Sequence, residues 1–200
     1  YLVRLGGWEE GSVGTGGVSL HLNTSQTGAC CLGGELCQDT SEDLCGGTWM
    51  GEGTSCLSVN CPSVPNDDCS GAVPIDLGST GFDTRLATTD GPAHPECKEF
   101  DGGVTGNDVW YLFTAPDTGT LTVSTCNTAD YDSDLIVYDG VDCADLVLLG
   151  CNDDTEGCDG YTSHVEVPVE MGASYLIRLG GWQEGSVGTG TLLLHLDSGR

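Results

Sequence analysis

Residues 1–23, YLVRLGGWEEGSVGTGGVSLHLN, recur as residues 175–197, YLIRLGGWQEGSVGTGTLLLHLD, with 17 of 23 positions identical at an offset of 174. The six differences (Val3/Ile177, Glu9/Gln183, Gly17/Thr191, Val18/Leu192, Ser19/Leu193, Asn23/Asp197) are mild and mark related repeats. Tyr1, Val3 and Leu5 form one face before Gly6-Gly7. Val18, Leu20 and Leu22 then alternate with Ser19, His21 and Asn23, the period-two pattern of a half-buried strand. With the glycine-rich GWEEGSVGTGG between them, the unit predicts a strand–loop–strand hairpin. The second copy reads as the closing end of a β domain, while the first has no domain body before it. The chain therefore reads as a window cut from a tandem array, slightly wider than one repeat. Such arrays form stalks, fibres, surface layers or adhesins more often than enzymes.

Two hundred residues with 32 glycines, two methionines and no long run spaced i, i+3, i+4, i+7 predict an all-β chain. The 31 acids against five bases give a net charge of −26. That surface repels nucleic-acid phosphate and anionic membranes, so neither is an expected partner. Many of the acids fall in turn clusters rich in Asn, Asp and Gly, which points to Ca²⁺. The 12 cysteines split six and six between two regions, and no C-x₂-C pair occurs. Zinc is thereby disfavoured and an oxidising, extracellular or cell-surface location expected. No apolar run of about 18 residues is present, so this segment is not expected to insert in a membrane.

Three regions follow. Residues 1–23 are the closing hairpin of a preceding repeat. Residues 24–65 are a Cys-rich disulfide module with a polar entry and a stiff CPSVP exit. Its Cys30, Cys31, Cys37, Cys45, Cys56 and Cys61 admit 15 pairings, which the sequence leaves open. Residues 66–197 are a sandwich with strands near 72–76, 81–86, 107–115, 119–126, 134–139, 146–150, 163–169 and 174–180, closed by 190–197. Val109, Tyr111 and Phe113 alternate there against Trp110, Leu112 and Thr114. Proximity along the chain suggests the disulfides Cys69–Cys97, Cys126–Cys158 and Cys143–Cys151.

NDDCSGAVPIDLG (66–78), NDVWYLFTAPDTGTLTVSTC (107–126), DSDLIVYDG (132–140), GCNDD (150–154) and YLIRLGG (175–181) together resemble a secreted bacterial β-sandwich repeat. That repeat is abundant in planctomycete-like and other environmental bacteria and is related to pre-peptidase C-terminal domains. The likeness covers about two thirds of the chain, and the preceding stretch resembles Cys-rich modules that accompany such repeats. The resemblance implies a non-catalytic, extracellular, jelly-roll-like antiparallel β-sandwich, often calcium-stabilised. It does not set the role of the parent protein, because one module serves proteases, adhesins and arrays alike.

Residues 130–159 hold ten acids and no Lys or Arg. Asp132 and Asp134 precede one strand, and Asn152, Asp153 and Asp154 follow the next. An antiparallel meander brings those two loops to the same end, where their oxygens can converge on a hard cation. Solvated turns with Asx caps are the alternative. A weaker metal candidate is Asn66, Asp67 and Asp68 at the sandwich entrance, with Asn107 and Asp108 as additional oxygens.

Catalysis is not expected. No G-x-S-x-G, H-E-x-x-H or Gly-rich phosphate loop occurs, and bridged cysteines offer no thiolate. His21 and His195 share one repeat position on an outward face, His94 lies in a loop and His164 lies near Glu166. Trp8 and Trp182 share the glycine-rich loop and Trp49 lies in the Cys-rich module; docking between units is favoured over stacking on sugar. Asn23-Thr-Ser and the Thr/Ser residues of 24–27 are candidate glycan sites. The leading expectation is a structural repeat of an extracellular fibre, filament or surface array, its partners being neighbouring repeats or identical chains. Strand donation of 1–23 to another chain is the less favoured version, since that chain already owns its 175–197. A carbohydrate- or matrix-binding module of a larger secreted protein, or an adhesin repeat, is the alternative.

Overall fold

A computed structural model describes residues 9–11, 13–18, 27–32, 36–97 and 101–199. The strand expected at 1–5, Trp8, Leu20, Leu22 and the candidate glycan residues 23–26 lie outside these. Twelve strands are described: β1 (Thr27–Cys31), β2 (Cys37–Ser41), β3 (Thr48–Glu52), β4 (Val73–Ile75), β5 (Gly78–Asp83), β6 (Gly106–Thr114), β7 (Gly119–Ser124), β8 (Ser133–Asp139), β9 (Val147–Asn152), β10 (His164–Val169), β11 (Ser174–Gly181) and β12 (Thr189–Asp197). The chain is all-β, a sandwich preceded by a small disulfide-rich sheet.

In that small sheet β1 lies between β2 and β3, antiparallel to both. Its buried side chains are Ala29, Cys30, Cys31 and Ser41, too few to hold a fold unaided. Cys30–Cys45, Cys31–Cys61 and Cys37–Cys56 supply the restraint.

The sandwich has a four-stranded sheet, β10-β7-β12-β5, and a five-stranded sheet, β4-β6-β11-β8-β9. Their facing sides form one core. Val109, Tyr111 and Phe113 of β6, Leu135 and Val137 of β8, and Tyr175, Ile177 and Leu179 of β11 meet Leu121, Val123, Val165, Val167, Val169, Leu192 and Leu194. The period-two alternation sends Trp110, Ile136, Tyr138 and Leu176 to the opposite face of the five-stranded sheet, where they form a second buried cluster with Cys69. Residues 88–97 and 101–105 contact that face through Asp90, Pro92, His94 and Thr105, so both sides of β6, β8 and β11 are covered.

Two features depart from expectation. β4 pairs with β6 in parallel, because β5 lies in the other sheet and the chain returns in the same direction. The strand expected at 81–86 spans 78–83, and the chain then leaves the sheet in a turn closed by Ala87 N–H to Thr84 O at 3.0 Å.

All 12 cysteines are bridged. Cys126 pairs with Cys158, but Cys69 pairs with Cys143 and Cys97 with Cys151, in place of 69–97 and 143–151. The register gives the reason. Asp139 stands opposite Val147 and Ile136 opposite Cys151, so Cys151 lies four strand residues away from the 140–146 loop. That is about 13 Å of extended chain, too far for a bridge, which needs Cα atoms within about 7 Å. The covering segment brings Cys97 over β9 instead.

Candidate metal centre

β8 and β9 are antiparallel, with Leu135 opposite Asn152, so the start of one and the end of the other share an edge of the sandwich. Local hydrogen bonds fix both loops there. Asn152 Oδ1 accepts from Thr155 Oγ1 at 2.5 Å and from His164 N–H at 3.1 Å, while Asn152 Nδ2 donates to Asp154 O at 3.0 Å. Ser163 Oγ donates to Asp153 O at 2.6 Å and also reaches Ser133 O. Asp132 O accepts from Ser186 Oγ at 3.2 Å and from Trp182 N–H at 3.4 Å, which ties the loop to the one following β11.

Held this way, Asp132, Asp153 and Asp154 each bring a carboxylate oxygen to within 4.8 Å of the others. Two oxygens bound to one Ca²⁺ at about 2.4 Å stand at most about 4.8 Å apart, so the spacing suits a shared ion. The donors are hard anionic oxygens, and one oxygen of Asp132 and one of Asp153 are shut off from solvent. The five expected residues do not all converge. Asn152 is occupied as the hub of its own turn. Asp134 is fully buried on the outer face of the five-stranded sheet, where its Oδ2 accepts from Thr105 Oγ1.

The entrance candidates use their oxygens differently. Asn66 Nδ2 donates to Trp110 O at 3.0 Å. Asp67 accepts from Thr88 N–H at 2.5 Å and Thr88 Oγ1 at 3.1 Å, and burial pushes its carboxyl above the usual range. Asp68 is exposed. Asn107 Oδ1 accepts from Gly185 N–H at 2.7 Å, and its Nδ2 donates to Ala87 O at 2.7 Å. These bonds fasten the linker and the loops to β6. Among the described residues they form no convergent ligand set.

Asp108 has another task, which the sequence reading missed. Arg178, fully buried on β11, pairs with it in a fork, Nε to Oδ2 at 2.9 Å and Nη2 to Oδ1 at 3.1 Å. The guanidinium also donates to Pro92 O at 2.7 Å and Thr105 O at 2.8 Å. It stands 5.6 Å from the ring of Trp110, which stacks on Tyr138 at 5.7 Å. A methyl group at Gly91 would collide with the guanidinium, so the covering segment passes there as glycine. The signal available in the sequence was a lone arginine inside the apolar YLIRL, repeated at Arg4 in YLVRL.

No family model and no curated protein matches the sequence. Among solved structures, the chain is similar to the pre-peptidase C-terminal domain of a collagenase from Bacillus anthracis. The identity is 12% over 62% of this chain and 94% of that one, with a TM-score of 0.38. Six disulfides place the chain in an oxidising environment. Among the described residues no helix is long and apolar enough to cross a membrane.

Proposed function

We propose that this chain is a non-catalytic structural module of an extracellular fibre, filament or surface array, cross-linked by disulfides and stabilised by Ca²⁺. The observation that carries the reading is the duplication of one strand pair. The copy at 175–197 supplies β11 and β12, the one an interior strand of the five-stranded sheet and the other of the four-stranded sheet. A strand pair of that kind serves only a sandwich body, so a second copy in the same chain suits units that succeed one another.

Asp132, Asp153 and Asp154 would hold the ion, which would bridge the β7–β8 and β9–β10 connections and relieve carboxylate repulsion. Carbohydrate binding has weaker support. Among the described aromatics only Tyr161 falls in the exposed class, so they present no row of rings to stack on a polysaccharide.

Electron microscopy of native material under non-reducing conditions tests the reading. Uniform filaments or sheets with a regular repeat are expected, and their order should decline in EDTA and return with Ca²⁺. Isolated globules in both conditions would overturn it in favour of a binding module on a larger secreted protein.

A further inference from the structure

Three sulfurs of the small sheet lie within 4.8 Å of one another, those of Cys31, Cys37 and Cys61. They belong to two different bridges, Cys31–Cys61 and Cys37–Cys56. Among the described residues no other three cysteines cluster in this way. Strand geometry explains the meeting. Cys31 and Cys37 stand directly opposite each other at the end of the β1–β2 pair, so their side chains share a face. Cys30, the neighbour of Cys31 on β1, points to the other face, and its bridge to Cys45 stays out of the cluster.

The same four cysteines therefore have two pairings. Directly opposite residues keep their Cα atoms about 4.5–5.5 Å apart, inside the range a disulfide accepts, so a bridge Cys31–Cys37 fits the backbone as it stands. It leaves Cys56 and Cys61 to pair with each other. Both line one cavity of about 370 Å³, together with Cys37, Val59, Asn60 and Ser63. Access to the cluster is one-sided: Cys31 is 1% exposed, whereas Cys37, Cys56 and Cys61 are half-buried. The Asp39 carboxylate accepts from Cys56 N–H at 2.8 Å and from Ser55 Oγ at 3.2 Å, which fixes negative charge beside Cys56. That charge opposes a thiolate on Cys56, so cleavage of its bridge expels Cys37 instead; it also repels an anionic attacker.

We propose that Cys31, Cys37, Cys56 and Cys61 are a disulfide-exchange site that takes small neutral or cationic thiols. The external thiolate attacks Cys56 Sγ and breaks its bond to Cys37, whose sulfur leaves with the electron pair. Cys37 then attacks Cys31 Sγ, forming Cys31–Cys37 and expelling Cys61 as thiolate. Cys61 attacks Cys56 Sγ in the mixed disulfide, forms Cys56–Cys61 and returns the external thiolate. Two bridges are present before and after, the thiol is regenerated, and nothing is oxidised or reduced overall. The resident bridges span 30 and 19 residues and tie β1 to the segment leading into the sandwich. The exchanged bridges are local and let that segment go. The chemistry is the same whether or not the chain assembles.

The test incubates the folded, oxidised chain at about pH 8, where small thiols are partly ionised, with cysteamine or with thioglycolate at equal thiolate concentration. Samples are quenched in acid and digested with pepsin for mass spectrometry. Cysteamine should generate peptides joined 31–37 and 56–61, while Cys30–Cys45 and the three sandwich bridges persist. Thioglycolate should act about tenfold or more slowly at low salt, a gap that narrows in 0.5 M NaCl and in Asp39→Asn. A second measurement detects exchange even where the resident pairing dominates at equilibrium. Cys56→Ser leaves the Cys37 sulfur beside the Cys31–Cys61 bridge, so slow alkylation without added thiol should label Cys61 as well as Cys37. In Cys158→Ser the sulfur of Cys126 has no such cluster and should take the label alone. Label confined to Cys37 in Cys56→Ser, with no 31–37 peptide from the unmodified chain, would overturn the proposal. So would scrambling that reaches the sandwich cysteines as readily, and equal rates for the two thiols at low salt would overturn the preference for non-anionic ones.

Discussion

Arg178 shows how much one residue can determine here. Its side chain has no solvent contact, and its planar fork makes four hydrogen bonds, to Asp108 and to the backbone carbonyls of residues 92 and 105. It thus couples the centre of the five-stranded sheet to the segment laid across it. Burial pushes the Asp108 carboxyl up to about 7, against the pull of the guanidinium beside it. The two partners therefore respond differently to loss of the other. Asp108→Leu strands a cation that cannot shed its proton, and should cost about 3–5 kcal/mol at neutral pH. Arg178→Leu should cost less, because the carboxyl left behind can take up a proton. Without Arg178 its folded-state pKa lies further above the ordinary 3.8. The stability this group contributes is then fully present below about pH 4 and lost as pH rises through 7 and beyond. Urea unfolding of both variants between pH 4 and 8 checks this. Equal costs with no pH trend in Arg178→Leu would show that the pair does not act as an ionic unit.

At the scale of elements, the alternation in DVWYLFT correctly divided β6 into a core face and an opposite face. It could not show that the opposite face is buried too, because what covers it comes from residues 88–97 and 101–105, which have no periodicity of their own. The disulfides show the same limit. Spacing along the chain favoured Cys143–Cys151, whereas strand register places Cys151 at the far end of β9 and the overlying segment delivers Cys97 to it. Convergence of the loops around Asp132 and Asp153 was legible, since it needs only two consecutive antiparallel strands. The employment of Asn152 and Asp134 in hydrogen bonds was not, because their partners Thr155, His164 and Thr105 carry no distinguishing pattern. Non-reducing proteolysis with mass spectrometry should recover peptides joined 69–143, 97–151 and 126–158, and none joined 69–97. Replacing Cys69 and Cys143 together by Ala opens a loop of 74 residues and should lower stability by about 4 kcal/mol.

Across the whole molecule, the net charge of −26 is a standing repulsion that the fold must withstand. Monovalent salt screens it evenly, with a Debye length of about 8 Å at physiological strength. A divalent ion acts instead where three carboxylates are held together, and among the described residues Asp132, Asp153 and Asp154 are such a place. The two effects separate in a thermal melt. Ca²⁺ at about 100 times its dissociation constant stabilises the folded state by about 2.7 kcal/mol, or about 5–11 °C for a chain of this size. That increment should survive in 0.5 M NaCl and in Asp67→Asn, whose carboxylate is already engaged by Thr88. It should fall to near nothing in Asp132→Asn/Asp153→Asn, although removing two negative charges raises the melting temperature of that variant without calcium. If the double variant kept the full calcium increment, the ion would be bound elsewhere. If Ca²⁺ did no more than NaCl at equal ionic strength, the cluster would be only a solvated turn. A specific increment lost with these two residues would make the ion a clamp between the loops before β8 and after β9, fastening the edge strand β9 to β8, the neighbour of β11.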